Sequence, residues 1–202
     1  MAKIIAFVNQ KGGVGKTTSS INVAHYLAAA GKRVLLVDLD PQGNASSGLG
    51  FDVRKIPNNL YRSMVSGMSP HDIIIKTDSG EPDIMPGSQD LAAAGIEMVH
   101  MENREYRLYE VLRQVRPMYD FIIIDSPPSL GLLTINGLVA SDAVIVPVQA
   151  EYYALEGLSQ LLETIGLIKE NLQPDLGVMG ALLTMYDRRN RLARQVVKEV
   201  QE

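Results

Sequence analysis

The ten residues Asn9-Gln10-Lys11-Gly12-Gly13-Val14-Gly15-Lys16-Thr17-Thr18 bring glycines, lysines and threonine hydroxyls into one short stretch. Glycines let a backbone wrap an anion, because its amides can turn inward with no Cβ in the way. The chemistry this set serves is the grip on a phosphate chain with magnesium. Lys16 would reach the β- and γ-phosphates, the Thr17 hydroxyl would ligate the metal, and the amides from Gly12 through Val14 and Gly15 to Thr18 would line the cradle. Carboxylates suited to the same site follow in Asp38-Leu39-Asp40-Pro41-Gln42-Gly43-Asn44 and in Asp120-Phe121-Ile122-Ile123-Ile124-Asp125. Asp40 is a candidate to orient the attacking water or the magnesium shell. Asp125 is a candidate metal carboxylate beside Thr17, acting through one of the waters that magnesium keeps. The plainer alternatives are a flexible glycine turn with a surface lysine, and aspartates that only cap a turn before Pro41.

These residues need a scaffold, and the apolar pattern supplies one. Ile4 to Val8 is an unbroken apolar run, the pattern of a strand buried on both faces. Ile21, Ala24, Leu27 and Ala28 recur at helical spacing, with Gly31 as a stop. Arg33 to Val37 then reads as a second buried strand. Strand, helix and strand with a short return imply a parallel pair and a right-handed crossover. Asp40 and Asp125 therefore fall at the carboxyl edge, where open α/β sheets bind ligands.

Further along, Leu60, Met64 and Val65 suggest a short helix, Ile73-Ile74-Ile75 a strand, and Ile84-Met85-Pro86 with Leu91 to Ala94 a strand and helix. Tyr106, Leu108, Val111, Leu112 and Val115 give a helical face stopped before Pro117. Ser126-Pro127-Pro128-Ser129 forces a turn after Asp125. Ile135, Leu138 and Val139 suggest a helix, and Ala143 to Val148 a buried strand. A leucine-rich helical stripe runs from Leu155 to Leu172 and reads as core packing. Met179 to Met185 supplies a last strand. The expected fold is a single three-layer α/β P-loop domain, a mostly parallel twisted sheet with helices on both faces.

Composition sets the outer bounds. The chain's 202 residues suffice for one domain with a substantial core. It has no cysteine, which removes disulfides, thiolate metal sites and cysteine nucleophiles and fits a reducing cytoplasm. His25, His71 and His100 have no spaced partners, so they do not suggest a metal site. No apolar run is long enough to span a membrane. A net charge of −4 excludes a uniformly basic surface, so any contact with nucleic acid must come from a local patch.

The glycine stretch departs from G-x-x-x-x-G-K-[ST] at Gln10, where the pattern has glycine, and carries an additional lysine, Lys11. A lysine there could turn inward to its own nucleotide or outward across a subunit boundary. The form K-G-G-x-G-K-[ST]-T resembles the deviant Walker A family, which includes ParA and Soj partition ATPases, MinD, the nitrogenase iron protein and the arsenite-pump ATPase. The resemblance implies ATP and Mg2+ as ligands and a homodimer that sandwiches two ATP molecules, with Lys11 reaching the partner's site. Asp38 to Asn44 resembles switch I of ParA and Soj proteins, in which the residue matching Asp40 is needed for hydrolysis. Asp125-Ser126-Pro127-Pro128 resembles switch II, which senses the γ-phosphate at the dimer interface. Glu151-Tyr152-Tyr153-Ala154-Leu155-Glu156-Gly157 and Leu183-Thr184-Met185-Tyr186-Asp187 match the same subfamily, which implies that Thr184 and Met185 lie near the adenine.

Arg188, Arg189, Arg191 and Arg194 cluster next, and on a helix Arg191, Arg194 and Lys198 share a face. A solvated charged face is the ordinary reading of such a run. Against it, arginines at a helix start oppose the macrodipole, and guanidinium suits phosphate geometry. In Soj-like ATPases an arginine matching Arg189 belongs to a sequence-independent DNA-binding surface. The resemblance thus implies nonspecific DNA as a partner, a ParB/Spo0J-like protein that stimulates slow hydrolysis, and a nucleoid-associated cytoplasmic location with no membrane contact. It also implies that the family continues past Glu202 with another strand, an adenine-closing loop and a final helix. Among rivals, a MinD-like positioning ATPase needs a terminal amphipathic membrane helix. The iron-protein type needs cysteines, and an amidotransferase-type synthetase needs a substrate domain for which this length leaves no room.

Overall fold

The computed structural model describes residues 1–150, 154–187 and 189–201. The apolar runs become β1 (Lys3–Phe7), β2 (Val34–Asp38), β3 (Asp83–Met85), β4 (Phe121–Asp125), β5 (Ala143–Gln149) and β6 (Gly177–Thr184). They form one sheet in the order β3-β2-β4-β1-β5-β6, and every pairing is parallel. Unbroken apolarity is what such strands need, because alternate side chains feed two different cores. Ile4, Ala6, Leu35, Val37, Ile122 and Ile124 enter the larger one, whereas Ile5, Phe7, Val34, Leu36 and Ile123 enter the smaller.

Helices α1 (Lys16–Ala29) and α2 (Asn44–Gly48) cover the smaller core, through Ala24, Ala28 and Ala45. Helices α3 (Leu60–Ser66), α4 (Leu91–Glu97), α5 (Arg107–Val115), α6 (Leu132–Val139) and α7 (Ala154–Asn171) cover the larger one. The three-layer α/β architecture expected from the pattern is present. Helix α8 (Arg191–Gln201) lies against α7 and buries Ala193 and Val196. Gly31 stops α1 in the left-handed conformation, at φ 79°. Helix α5 ends at Val115, and Pro117 sits in the 3-10 turn Arg116–Met118 that follows.

Two expectations need correction. Ile73-Ile74-Ile75 is not a strand. Ser69 and Pro70 start a 3-10 turn over Pro70–Asp72, Ile73 drops into the core, and only Ile75 pairs, in one isolated antiparallel bridge with Ile84. An apolar run this short satisfies itself by burial as readily as by pairing. The leucine stripe of α7 is also only partly core. Leu161, Ile165 and Ile168 are buried, but Leu162 and Leu167 are exposed.

Parallel pairing puts the carboxyl ends of three strands side by side. Asp125 is in register with Phe7 of β1 on one side and Asp38 of β2 on the other. The loops that leave those ends carry the candidate chemistry.

Candidate functional site

Between β1 and α1 the chain turns through Gly13 (φ 75°) and Gly15 (φ 84°), conformations that a side chain would strain. Gly15 caps α1. No side chain bonds the cap, and the first turn holds no acidic residue. The positive end of the helix, with its unpaired amides, is thus left for an anion. A Cβ placed on Gly12 or Gly13 would meet no atom within 4 Å, so the loop borders open space. That space is a cleft of about 460 Å³, lined by Gly12, Gly13, Gly15, Lys16, Thr17, Thr18, Asp40, Gln42, Asn44, Pro128 and Met185. Its size is ordinary for a small-ligand site. A second cavity of about 430 Å³ opens at the opposite edge of the sheet. There Arg33 is paired with Asp120 and Lys76 with Asp83.

Several struts hold the loop. Asn9 donates from Nδ2 to the Pro147 carbonyl (2.7 Å) and accepts the Lys11 amide on Oδ1 (2.9 Å). Gln10, at the position where the standard pattern has glycine, donates from Nε2 to the Gly157 carbonyl (3.0 Å) and to Gln160 Oε1 (3.1 Å) on α7. The Thr184 hydroxyl donates to the Val14 carbonyl (2.8 Å) from the end of β6. Thr184, expected near the adenine, therefore braces the phosphate loop. Met185 next to it lines the cleft with a left-handed backbone (φ 52°), an arrangement that costs of order 1–3 kcal/mol and is kept at functional sites. The composition of the loop says nothing of these struts, which join residues far apart in the chain.

Lys16, Asp40 and Asp125 lie close enough to act on one another. Lys16 is 6% exposed, and its ammonium donates to the carbonyl of Lys11 at 3.0 Å. Burial lowers its pKa, while Asp125 and Asp40 act in the opposite direction. Asp125 is fully buried with neither carboxylate oxygen hydrogen-bonded. Burial pushes its pKa up to about 7, against the influence of the nearby Thr17 hydroxyl and with a further push from Asp38. Asp38 is likewise raised by burial to about 6, opposed by the amide and hydroxyl of Ser46. Asp40 is buried and accepts the Gln42 amide on Oδ1 (2.9 Å). Lys11 is half-buried.

An orphaned buried carboxylate beside a threonine hydroxyl, next to a glycine cradle, fits a hydrated divalent cation that arrives with phosphate oxygens. Among the described residues no group of three or more His, Asp or Glu converges to hold a metal by itself. Magnesium takes one or two protein carboxylates and keeps its waters.

Arg189, Arg191 and Arg194 do not line this pocket. Arg188 and the stretch Glu151 to Tyr153 lie outside the described residues. Arg189 is exposed and paired with Asp187, through Nη2 to Oδ2 (2.9 Å) and its own amide to Oδ1 (2.9 Å). Arg191 and Arg194 are exposed on α8, on a different side from buried Ala193 and Val196.

Known proteins resemble this chain in sequence and in fold. The profile of a family described as an AAA domain matches residues 2–178. The sporulation initiation inhibitor protein Soj of Bacillus subtilis is 54% identical over 202 residues, which cover all of this chain and 80% of that protein. The chromosome partitioning protein ParA of Myxococcus xanthus is 51% identical over 200 residues, 99% of this chain and 71% of that protein. The chain belongs to the ParA/Soj family of partition ATPases. Among solved structures, cobyrinic acid a,c-diamide synthase from Mycobacterium smegmatis, with bound ADP and magnesium, superposes at a TM-score of 0.95 and 41% identity, over all of this chain and 82% of that one. A plasmid partition protein from Borrelia burgdorferi superposes at 0.85 and 30% identity, over 99% and 85%. This ParA/Soj-family chain is an ATP hydrolase, and its phosphate loop, Asp40 and Asp125 all fall inside the matched family region. Among its described residues no helix is long and apolar enough to cross a membrane.

Proposed function

We propose that this ParA/Soj-family ATPase binds ATP with magnesium in the glycine cleft, closes as a homodimer through Lys11, and binds DNA without sequence preference until hydrolysis releases it. The observation that carries the reading is Asp125, buried and unpartnered at the strand end beside Lys16 and Thr17. Lys16 and the amides from Gly12 to Thr18 hold the phosphates, and Lys11 reaches the nucleotide of the second subunit. Thr17, Asp125 through a water, and Asp40 at the outer shell would hold magnesium, which would supply charge neutralisation on the phosphate oxygens. Asp40 keeps one carboxylate oxygen on the Gln42 amide and orients the attacking water with the other. None of these groups is a strong base, so the acceleration comes from positioning and charge. Met185 borders the adenine end of the cleft, with Thr184 behind it.

Arg189, with Arg188, Arg191 and Arg194, meets DNA phosphates, which places the protein on the nucleoid. A ParB-type protein bound at a DNA site stimulates turnover. Sizing with ATP and magnesium tests the sandwich. The native protein should double in mass, and Lys11→Ala should not. Doubling that survives Lys11→Ala would remove the role given to that lysine. Sedimentation with DNA against liposomes separates this reading from a MinD-like one.

The name on the Mycobacterium smegmatis structures raises ATP-dependent amide synthesis as a second reading. The higher identity to Soj and ParA and the arginine segment favour partition. Amide product formed from cobyrinic acid and an ammonia donor would reverse that preference.

A further inference from the structure

The segment from Asp38 to Ser46 carries Asp40 at the lip of the cleft, and three parts of the chain lock its base. Asp38 Oδ2 accepts the Ser46 amide (2.7 Å) and the Ser46 hydroxyl (2.6 Å), which closes the loop across eight residues. The same hydroxyl oxygen accepts the amide of Gly87 (3.2 Å), just beyond β3. Asp38 and Ser46 are wholly buried. Gly87 is crowded. A Cβ there would lie 2.9 Å from the Asp38 carbonyl oxygen, 3.0 Å from Asp38 Cγ and 3.0 Å from the Asp40 carbonyl oxygen. Its φ lies outside the left-handed region, so conformation does not call for glycine at this position. Space does, and two of the three crowding atoms are backbone that cannot rotate aside. Neither Ser46 nor Gly87 lines the cleft.

We propose that Ser46 and Gly87 are positioning residues for Asp40, and that Asp38 anchors them through Oδ2. The proposal rests on the reading of Asp40 as the residue that holds the attacking water. A displacement near 1 Å in such a residue costs up to about a hundredfold in rate. Changes at Ser46 or Gly87 therefore slow hydrolysis and spare nucleotide affinity, since the glycine cradle is built from other elements.

The test uses the full chain with ATP and magnesium and compares Ser46→Ala, Ser46→Thr, Gly87→Ala and Asp40→Ala. It reads kcat, equilibrium affinity for a fluorescent ATP analogue, melting temperature, and amide exchange at Gly87 in nucleotide-free protein. The expected result is a fall in kcat of about tenfold to a hundredfold in Ser46→Ala and Gly87→Ala, with affinity within about twofold. Gly87 amide exchange should quicken in Ser46→Ala, and Ser46→Thr, which keeps the hydroxyl, should regain most of the rate. If Ser46→Ala and Gly87→Ala turn over like the native protein while Asp40→Ala is inactive, the proposal fails and the role of Asp40 stands. If Asp40→Ala itself hydrolyses normally, the water-holding reading fails and takes the proposal with it. Loss of affinity and melting temperature in step with kcat also overturns the proposal, because it marks general destabilisation. Should Gly87→Ala not fold, the near-isosteric pair Ser46→Ala and Asp38→Asn gives the same readouts.

Discussion

The glycine loop and the arginine segment both gather positive charge, and the molecule treats them in opposite ways. Lys16 is buried at a strand end, hydrogen-bonded to the backbone of its own loop and facing two buried carboxylates. Arg189 stands in solvent, clasped by an aspartate two residues away. The first charge is fixed by the sheet before any ligand arrives, and burial has already lowered its pKa. The second is held by an exposed ion pair, a bond worth about 0–1 kcal/mol that a phosphate can replace. A rigid, chemically committed site and a loosely tethered, exchangeable one thus coexist in the same chain.

The sharpest way to break the contrast is Lys16→Ala. It removes the buried cation and leaves Asp125 and Asp40 facing each other, so ATP affinity should fall at least a hundredfold (about 3 kcal/mol) by calorimetry. Retained affinity would show that the loop's amides suffice. Next in size, glutamate at both Arg188 and Arg189 should abolish DNA retention at moderate salt, and the native protein's affinity should drop steeply between about 50 and 200 mM salt. DNA retention that survives the double change would empty the arginine half of the comparison. Smaller still, Asp187→Asn releases Arg189 from its clasp and should raise DNA affinity about twofold to threefold in a filter-binding titration. A fall would mean that Asp187 presents the arginine rather than restraining it.

A control for exposed pairs lies elsewhere, at Arg33 and Asp120. Hydrogen bonding to Arg33 draws the Asp120 pKa down from 3.8 to about 2. A carboxylate whose folded pKa is depressed stabilises the protein above its unfolded pKa and loses that contribution as pH falls through the folded value. Melting temperature should therefore carry a small Arg33-dependent loss between about pH 4 and pH 2, absent in Arg33→Ala. An equal acid loss in that variant would remove the pair as its source.

The part of the site legible from sequence is the part in which chemistry and local pattern coincide. Lys16 and Thr17 sit where a buried strand must turn into a helix, and Asp125 ends an apolar run whose burial is evident from its residues alone. What stayed hidden is tertiary. Gln10 looked like a departure from a pattern and is a strut to α7, 147 residues away. Thr184 touches the loop at Val14 across 170 residues. Gly87 and Ser46 have no chemical signature, because their importance is a matter of space and one shared hydroxyl. The fold shows the same division. Strands with both faces covered were plain, whereas Ile73 to Ile75, apolar but settled by burial, misled.

The strand order has a consequence for how the protein comes into being. β1 and β2 follow each other in the chain, yet β4 lies between them in the sheet. When the first hundred residues leave the ribosome, the glycine loop is complete, but the slot beside it is vacant, and only Phe121–Asp125 can fill it. A nascent chain shorter than that carries the glycine loop and Asp40 but lacks Asp125. The pairing of the glycine loop's strand with the strand that ends in Asp125 therefore waits until the middle of the chain has been made.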